Sequence, residues 1–485
     1  MNKVLEQQLI ELLGSDSVST TDIERMQYAH DMAPVPKILG LFWKTKPDAV
    51  VRPRSSQQLQ QLMQFATKNA VPVTPRGRST TMMGGSYPIF GGISVDMTAR
   101  QGIINLDESA LTIKIMSGTN WETVLKFLRK RGLTLYCYPT SAPSATIGGW
   151  LANGGVGLSK GGLGIGSSRY GYAADTVVDL GVVLSTGEYI ESIAATTRLK
   201  VKDFIGSDGI LGIFDTVTLK VRPLPARQEA FSYNFKDIEK LCLAVEKSAS
   251  LSPFFLLIED EVMLGFKKKA GLHVPAAQNL VTVILEGDGP QLESDIRELR
   301  KIMDTHRGQE LAQEIAEEEW ESRYYAMRHK KAGPNLLGGE FSAPICRLTE
   351  AVRRVKKLGK AKNITIGIHG TLGVNEVLFM PQVLSDERKK FRYLTMMSLV
   401  KDLNDLSVNL GGVPYGAGLF NAFYAKKIHG AKFAELVRLK KLLDPRKVMN
   451  PGKAIRCLTR FRIALPKFAY GTAMLGLGLF VKHGR

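Results

Sequence analysis

The pattern of hydrophobic and polar residues differs between the N-terminal 45 residues and the rest of the chain. Apolar residues recur at helical spacing in residues 2–13, which predicts an N-terminal helix, and an irregular proline-containing arm follows it. From Asp48 onward, short apolar runs alternate with longer amphipathic stretches. A strand at 48–53, a helix at 55–69 and a strand at 71–74 predict a β-α-β unit.

Short strands continue to alternate with helices to about residue 456. We predict further strands at 92–96, 111–116, 176–184, 187–190, 213–222, 280–286, 363–368 and 377–380, and helices at 120–131, 290–305, 308–325 and 385–406. Pro223 and Pro225 close the first series of strands. The pattern therefore predicts an arm at 1–45, a first domain at 46–226, a second domain at 227–456 and a tail at 457–485.

The predicted strand 71–74 leads into a loop of small and basic residues. Residues 74–85 read Thr-Pro-Arg-Gly-Arg-Ser-Thr-Thr-Met-Met-Gly-Gly. Glycines let a backbone approach a ligand closely, and successive N–H groups in such loops form anion-binding nests. The loop suits a diphosphate, and the alternative is an ordinary Gly-rich turn. A second small-residue stretch, Ser-Ala-Thr-Ile-Gly-Gly at 144–149, favours the ligand site.

Composition narrows the class of protein. The chain of 485 residues is 44% apolar and 23% charged, as in globular proteins, and its net charge is +19. The basic end is not accompanied by a nucleic-acid motif, so we expect no nucleic-acid partner. Four widely spaced cysteines without a Cys-x-x-Cys pair argue against an iron–sulfur cluster or zinc knuckle. Sparse cysteine and an N-terminus without an apolar signal core indicate a cytoplasmic protein.

The tail combines an apolar run with basic flanks. Residues 468–481 are uncharged, and Lys467 and Lys482 border them. A spanning helix needs about 20 apolar residues, so the run is too short. We expect a peripheral membrane contact at the inner face of the cytoplasmic membrane. The alternative is a helix that docks on the protein's own core or on a partner.

Five motifs together resemble flavoproteins of the vanillyl-alcohol oxidase type, which have a p-cresol methylhydroxylase-type FAD-binding domain. Within that family, the chain is most similar to the group of glycolate oxidase D-subunits and D-lactate dehydrogenases. The motifs are Thr-Pro-Arg-Gly-Arg-Ser-Thr (74–80), Ser-Ala-Thr-Ile-Gly-Gly (144–149), Arg-Tyr-Gly (169–171), Gly-Ser-Asp-Gly-Ile-Leu-Gly-Ile (206–213) and Leu-Asp-Pro-Arg-Lys-Val-Met-Asn-Pro-Gly-Lys (443–453).

The resemblance implies a two-part FAD-binding domain at 46–226, an α+β substrate or cap domain at 227–456 that returns to the FAD site, and the short tail. It implies that the first loop holds the diphosphate and that the other motifs line the flavin, ribityl and adenosine parts. The implied FAD-binding residues are Pro75, Arg76, Gly77, Arg78, Ser79, Thr80, Thr81, Ser144, Thr146, Ile147, Gly148, Gly149, Gly209, Ile213 and Asn450. Thr80 stands where some members carry a flavin-linked histidine, so we expect non-covalent FAD.

The catalytic motifs of this group are altered. Members usually carry a His-rich Gly-Asp-Gly-Asn stretch and a later Gly-Glu-His-Gly, which supply metal ligands and a base. Here His369 matches the first histidine, Glu376 stands at the second, and residues 416–419 read Gly-Ala-Gly-Leu. One histidine and a displaced glutamate make a poor divalent-metal site, so we predict no catalytic metal.

Three residues remain as catalytic candidates. His369 follows an apolar run, and histidine is the commonest general acid–base residue; Tyr415 is a second acid–base candidate. Arg328 matches a family arginine that binds the substrate carboxylate. Structural roles are the alternative for His369 and Arg328. Glu340 resembles the family's acidic strand start, and Gly338 replaces a family lysine just before it, which weakens a simple D-hydroxy-acid specificity.

The resemblance implies an FAD-dependent oxidoreductase that acts on a hydroxylated small molecule, such as the D-2-hydroxy acids lactate or glycolate. Electrons would pass to a separate acceptor, namely an iron–sulfur subunit, a quinone or a cytochrome. One alternative is a flavin-binding subunit of a larger redox complex without its own substrate chemistry. Another is a non-redox flavoenzyme similar to alkylglycerone-phosphate synthase.

Overall fold

The computed structural model describes residues 3–33, 40, 42–44, 46–325, 327–386 and 388–465. Its elements are numbered in chain order. The strands are β1 Val18–Ser19, β2 Ala49–Val51, β3 Val73–Arg76, β4 Ile93–Asp96, β5 Ile103–Asp107, β6 Thr112–Met116, β7 Leu133–Leu135, β8 Val177–Val183, β9 Tyr189–Ile190, β10 Ile213–Pro223, β11 Arg227–Phe235, β12 Phe255–Glu259, β13 Asn279–Gly287, β14 Gln309–Glu310, β15 Asn335–Gly338, β16 Phe341–Pro344, β17 Gly367–Leu372 and β18 Glu376–Ser385.

The helices are α1 Lys3–Leu13, α2 Asp22–Gln27, α3 Ser56–Lys68, α4 Trp121–Arg129, α5 Ile147–Ala152, α6 Ser167–Tyr170, α7 Val201–Phe204, α8 Ile238–Ser248, α9 Glu261–Lys269, α10 Gly289–Thr305, α11 Gln313–Glu321, α12 Leu348–Lys362, α13 Lys390–Asn409, α14 Ala425–His429 and α15 Phe433–Leu443. Short 3₁₀ turns connect several of them. The chain is therefore an α+β protein, as predicted.

One compact unit contains the described residues up to Gly162, Ala173–Arg222 and the described residues from Gly416 onward. Its first sheet has the order β1-β2-β4-β3, and β4 is parallel to both β2 and β3. Helix α3 makes the crossover from β2 to β3, and the Ser55 side chain caps it by accepting the Gln58 N–H at 3.1 Å. The apolar face of α3, including Leu59 and Leu62, is buried against this sheet. This is the predicted β-α-β unit.

The second sheet of this unit is antiparallel and centres on β10. Its order is β5-β6-β10-β8-β9, and β7 also pairs with β10. Strands β8 and β9 form the predicted hairpin. Asp215 of β10 accepts two hydrogen bonds from the Arg100 guanidinium, at 2.8 and 3.0 Å, and one from the Ser56 hydroxyl at 2.7 Å. Asp215 and Arg100 are both buried, so this ion pair ties β10 to the first turn of α3.

The end of the described chain returns to the first sheet. Val73 N donates to Val448 O at 2.8 Å, and Asn450 N donates to Val73 O at 2.7 Å. The segment therefore extends the ladder of β3 on the side away from β4. Because of this return, residues 416–465 group with the first unit.

The other compact unit contains Leu163–Tyr172 and Pro223–Tyr415 among the described residues. Its antiparallel sheet has the order β14-β11-β13-β12-β17-β18-β15, and β16 also pairs with β18. Long helices α8, α10, α12 and α13 bury apolar residues in this unit. Strands β12 and β17 are neighbours in this sheet, and they carry Glu259 and His369, which are described below.

The structure corrects three predicted elements in this unit. The predicted helix 308–325 begins with strand β14, which pairs with β11, and the helix itself is only α11. The predicted strand 363–368 lies at 367–372 because Asn363, with φ of 52°, ends α12 in the left-handed conformation. Helix α13 begins at Lys390 rather than at Ser385, because β18 extends to Ser385.

The sequence predicted a peripheral membrane contact through the tail and no membrane-spanning helix. In the described part of the chain, no helix is both long enough and apolar enough to cross a bilayer. The predicted apolar tail lies mostly at 466–485, outside the described residues.

Removing the buried carboxylate at position 215 should destabilise the first unit strongly. Asp215→Ala leaves the Arg100 guanidinium buried without its counter-charge, which typically costs about 3–5 kcal/mol. Glu122→Ala is the matched control, since Glu122 forms an exposed pair with Lys126 on α4 and should cost about 0.5 kcal/mol. Urea unfolding measures both. Equal losses would contradict the role of the buried pair.

Candidate functional site

The loop that leaves β3 presents unsatisfied backbone donors. Within the described residues, no hydrogen bond uses the backbone N–H groups of residues 78–81. Ser79 has a φ of 51°, which is the left-handed conformation that turns successive N–H groups toward one point. Four free amides in a row form a concave anion site. This geometry supports the predicted diphosphate role of the loop.

The hydroxyl groups of the loop fix its shape. Ser79 Oγ lies 2.9 Å from Ser86 Oγ, and Thr81 Oγ1 accepts the Met83 N–H at 3.2 Å. Thr80 is half-buried, and Arg78 is exposed at the loop surface. The hydroxyls of Ser79 and Thr81 therefore brace the loop internally, and Arg78 remains the basic side chain that faces solvent.

The Arg76 side chain contacts the N-terminal arm. Its guanidinium donates to His30 O at 2.9 Å and to Tyr28 O at 3.5 Å, and it lies over the Tyr28 ring at 4.8 Å. The sequence predicted that Arg76 contacts the cofactor, and that contact stays a prediction. The described role of Arg76 is to hold the arm against the loop.

The arm binds the loop through a second set of contacts. The buried Asp31 carboxylate accepts the Gly84 N–H at 2.6 Å and the Ala33 N–H at 2.9 Å. Met32 N donates to Thr81 O at 3.0 Å. Burial raises the pKa of Asp31 to about 7, and the two backbone donors oppose the rise. Residues 28–33 are therefore a strap over the cofactor loop, which sequence reasoning described only as an irregular arm.

The second small-residue stretch meets the first at Gly77. Thr146 caps α5 by accepting the Gly149 N–H at 3.2 Å, and a Cβ on Gly77 would lie 2.2 Å from Thr146 Oγ1. Only glycine permits this approach. Gly148 is equally confined, since a Cβ there would lie 2.8 Å from Ser117 Cβ. The two motifs therefore lie together although about seventy residues separate them.

Most backbone donors in the second stretch are already used. Ile147 N and Gly148 N donate to Thr119 O and Ser117 O, both at 2.8 Å. The Ser144 hydroxyl donates to Ser141 O at 3.2 Å. This stretch can therefore contribute surface and close approach to a ligand, while the run of four consecutive free N–H groups belongs to the first loop.

The fourth motif, at 206–213, contributes a buried carboxylate. Asp208 accepts the Gly418 N–H at 2.9 Å and the Gly154 N–H at 3.2 Å, and burial raises its pKa to about 6. Gly209 packs on Pro75, because a Cβ there would lie 2.8 Å from Pro75 Cγ. Ile213 is buried in the core with residues of β3 and β8, and its predicted cofactor contact stays a prediction.

The C-terminal return completes the arrangement. Asn450 Nδ2 donates to Asp208 O at 2.7 Å and to Gly85 O at 3.2 Å. The Lys453 ammonium donates to Gly85 O at 3.0 Å and to Tyr87 O. Burial lowers the pKa of Lys453 to about 7, and the charges of Asp208 and Asp31 oppose that shift. The return therefore holds the far side of the cofactor loop.

These residues fit FAD, which the resemblance implies. The four free N–H groups suit a diphosphate. Asn450 Oδ1 is buried and has no hydrogen-bond partner among the described residues, so it is an acceptor available to a ligand donor. The glycines that could not carry a Cβ show that the backbone segments are packed as a cradle.

In the other unit, His369 belongs to a buried charge cluster. It lies on β17 directly opposite Glu259 of β12, and its Nδ1 is 3.1 Å from Glu259 Oε1. The Lys267 ammonium of α9 pairs with the other oxygen of Glu259 and lies 3.6 Å from Glu319 Oε2. Sequence reasoning identified His369 and missed the three partners, because they are remote in sequence.

The remaining catalytic candidates lie in different surroundings. The buried Tyr415 hydroxyl accepts the Leu163 N–H at 3.0 Å, and its backbone N–H donates to Glu340 O at 2.8 Å. Burial raises the pKa of Glu340 to about 8, so this carboxyl holds a proton at neutral pH. Arg328 is exposed at the start of a 3₁₀ turn. The backbone hydrogen bond places Tyr415 beside Glu340.

Among the described residues, no group of three His, Cys, Asp or Glu side chains is arranged to hold a metal ion. In the cluster, the Lys267 ammonium lies beside both Glu259 and Glu319. The prediction of no catalytic metal stays a prediction.

Loosening the strap should weaken FAD binding. Asp31→Asn replaces an acceptor of two N–H groups by an amide that presents its own donors. The folded loop should lose about 1–3 kcal/mol of stabilising free energy. The dissociation constant of FAD should therefore rise about tenfold. Flavin fluorescence during reconstitution measures the constant. The control is Asp22→Asn, because Asp22 pairs with Lys46 on the arm's exposed side. Unchanged binding in Asp31→Asn would show that the loop holds its shape without the strap.

Known proteins match both parts of the chain. The family model "FAD binding domain" matches residues 47–192, and the model "FAD linked oxidases, C-terminal domain" matches residues 224–454. The strap at 28–33 lies outside both matches.

Individual relatives agree with these families. Glycolate oxidase subunit GlcD of Bacillus subtilis is 24% identical over 96% of this chain and 99% of its own length. The mitochondrial cytochrome-type D-lactate dehydrogenase of Arabidopsis thaliana is 24% identical over 84% of this chain and 73% of its own length.

Solved structures share the fold at low identity. A substrate-bound p-cresol methylhydroxylase matches with a TM-score of 0.77 and 14% identity over 93% of this chain and 96% of that chain. An alkyldihydroxyacetonephosphate synthase matches with a TM-score of 0.71 and 19% identity over 93% and 85%. The fold is therefore the p-cresol methylhydroxylase type with a second domain, and the chain belongs to the family of FAD-linked oxidases.

Proposed function

We propose that this chain is an FAD-dependent dehydrogenase that oxidises a D-2-hydroxy acid such as lactate or glycolate. The relatives named as a glycolate oxidase subunit and a D-lactate dehydrogenase support this substrate class. The observation that carries the proposal is the anion cradle at residues 78–81, which two glycine-rich segments and the C-terminal return hold in place. Bound FAD supplies the two-electron acceptor for the oxidation.

The proposed roles of the cofactor residues follow from their contacts. The N–H groups of Arg78, Ser79, Thr80 and Thr81 bind the diphosphate. Asn450 offers its Oδ1 as an acceptor, and Gly77, Gly148 and Gly149 permit close approach of the backbone. Pro75, Gly209 and Thr146 shape the cradle. Arg76, Ser144, Ile147 and Ile213 support its walls.

The substrate half of the proposal uses three side chains. His369 accepts the proton of the substrate hydroxyl, since its Nδ1 is held by Glu259 and no hydrogen bond to a described residue uses its Nε2. Arg328 binds the substrate carboxylate. Tyr415 orients the substrate through its hydroxyl. Electrons pass from the enzyme to a separate acceptor, namely an iron–sulfur subunit, a quinone or a cytochrome.

We also propose a cytoplasmic location with peripheral membrane contact through the tail at 457–485. The basic flanks of the apolar run at 468–481 support it.

A second candidate function is a flavin-binding subunit without its own substrate chemistry. Residues 416–419 occupy the place of the family's Gly-Glu-His-Gly, and here they serve packing. A Cβ on Gly418 would lie 2.2 Å from Met83 O, and the Gly418 N–H is bound by Asp208. No acid or base fits at that position. The synthase-like alternative is weaker, because that group carries a His-rich loop which this chain lacks.

D-lactate or glycolate should bleach the flavin of the purified holoprotein under anaerobic conditions. The visible absorption of oxidised flavin should fall within seconds of mixing with a substrate of the proposed class, and L-enantiomers are the matched control. If no compound in a panel of D-2-hydroxy acids and alcohols bleaches the band while dithionite does, the subunit function is favoured.

Denaturation should release FAD from the protein, because we expect no covalent bond between them. Because residues 74–85 contain neither histidine nor cysteine, we expect all flavin absorbance in the supernatant after acid precipitation. Mass spectrometry of the precipitated chain should give the unmodified mass. A mass increase equal to one flavin would show a covalent link elsewhere in the chain.

A further inference from the structure

The cluster around His369 is built from four elements of one unit. Glu259 ends β12, Lys267 lies on α9, Glu319 on α11 and His369 on β17. Glu259 and His369 are almost fully buried, and Lys267 and Glu319 are nearly so. Buried charges are costly unless they are paired, so this arrangement calls for a reason beyond stability.

The short connection from β12 to α9 places Lys267 over the cluster. Asp260 caps α9 by accepting the Met263 N–H at 3.0 Å, and the same oxygen accepts the Ile368 N–H of β17 at 2.9 Å. One carboxylate therefore fixes the start of α9 against the strand that carries His369. Lys267 follows two turns later and reaches back to Glu259.

The neighbours of Glu259 and Lys267 determine which groups of the cluster are ionised. Burial opposes ionisation of Glu259, but the Lys267 ammonium and the His369 ring outweigh burial and hold the pKa of Glu259 below its usual range. Burial also opposes the charge on Lys267, and the two glutamates outweigh it and raise the Lys267 pKa. Glu259 is therefore an anion at neutral pH. An anion 3.1 Å from Nδ1 binds the ring best when Nδ1 carries the proton.

We propose that Glu259 and Lys267 are positioning residues which hold His369 in the Nδ1–H form and leave Nε2 as the proton acceptor of the oxidation. Lys267 acts on Glu259, and Glu259 acts on the ring. The inference rests on the proposed dehydrogenase function. When the substrate O–H bond breaks, its proton bonds to Nε2, and Glu259 offsets the positive charge on the ring. The substrate carbon also loses a hydride, and bound FAD would supply the two-electron acceptor for it.

The first test reads the ring directly in the holoprotein. Nitrogen NMR of ¹⁵N-histidine-labelled protein, with the His369 signal assigned from a His369→Gln spectrum, should show a protonated Nδ1 and an unprotonated Nε2 at neutral pH. A wild-type ring in the Nε2–H form would overturn the proposal without any variant.

Two variants then remove the partners one at a time. Glu259→Gln keeps the shape and removes the charge. Lys267→Met removes the ammonium that outweighs the burial of Glu259, so Glu259 takes up a proton and loses its charge. Both should shift His369 toward the Nε2–H form and lower kcat about 10- to 100-fold with little change in KM. Glu318→Gln is the matched control, since Glu318 pairs with a histidine in the same way, at 2.8 Å from His273, but on the exposed surface.

The outcomes separate this inference from the proposed function. A drop in kcat with an unchanged ring form in both variants would mean a merely structural role and would overturn the positioning. A shifted ring form in a protein whose flavin no hydroxy acid reduces would sustain the positioning and reject the dehydrogenase function. Wild-type values in both variants would reject the positioning alone.

Discussion

The loop after β3 depends on support from outside itself. Its N–H groups at 78–81 are free for a ligand, so they cannot stabilise the loop through hydrogen bonds of their own. Asn450 and Lys453 hold its carbonyl groups from the C-terminal side, and Asp31 holds the Gly84 N–H from the arm. Side chains that are distant in sequence therefore stabilise an anion site that is made of backbone N–H groups. This explains why the strap at 28–33 and the C-terminal return at 450–453 both lie against one short loop.

The local sequence predicted many helices and strands of the first unit, but not the long-range contacts that join its ends to the loop after β3. Helix α3 and strand β3 follow from short-range periodicity and a serine cap, and the loop chemistry at 74–85 follows from residue type. The strap from Asp31 and the bridge from Val73 to Met449 carry no local signal, since each links residues far apart in sequence. Contacts of that kind appear only when the topology is known.

The second unit was harder to predict for a physical reason. Strand β12 is buried on both sides, and its continuous apolar run without alternation was not predicted as a strand, whereas the equally buried β13 was predicted at 280–286. Of the buried cluster, only His369 was recognisable, because a single histidine after an apolar run stands out in a sequence. Glu259 and Lys267 look like ordinary charged residues until the register of β12 against β17 pairs the glutamate with the histidine.

Two of the buried lysines among the described residues, Lys453 and Lys267, have opposite electrostatic surroundings. Lys453 donates to the carbonyl groups of Gly85 and Tyr87, and burial outweighs the carboxylates around it, so its pKa falls to about 7. Lys267 is paired directly with Glu259, and its pKa rises. Lys453 therefore loses little when it becomes neutral, because its hydrogen bonds to carbonyls persist. Lys267 is a fixed cation, and a fixed cation beside Glu259 is what keeps a carboxylate available to orient His369.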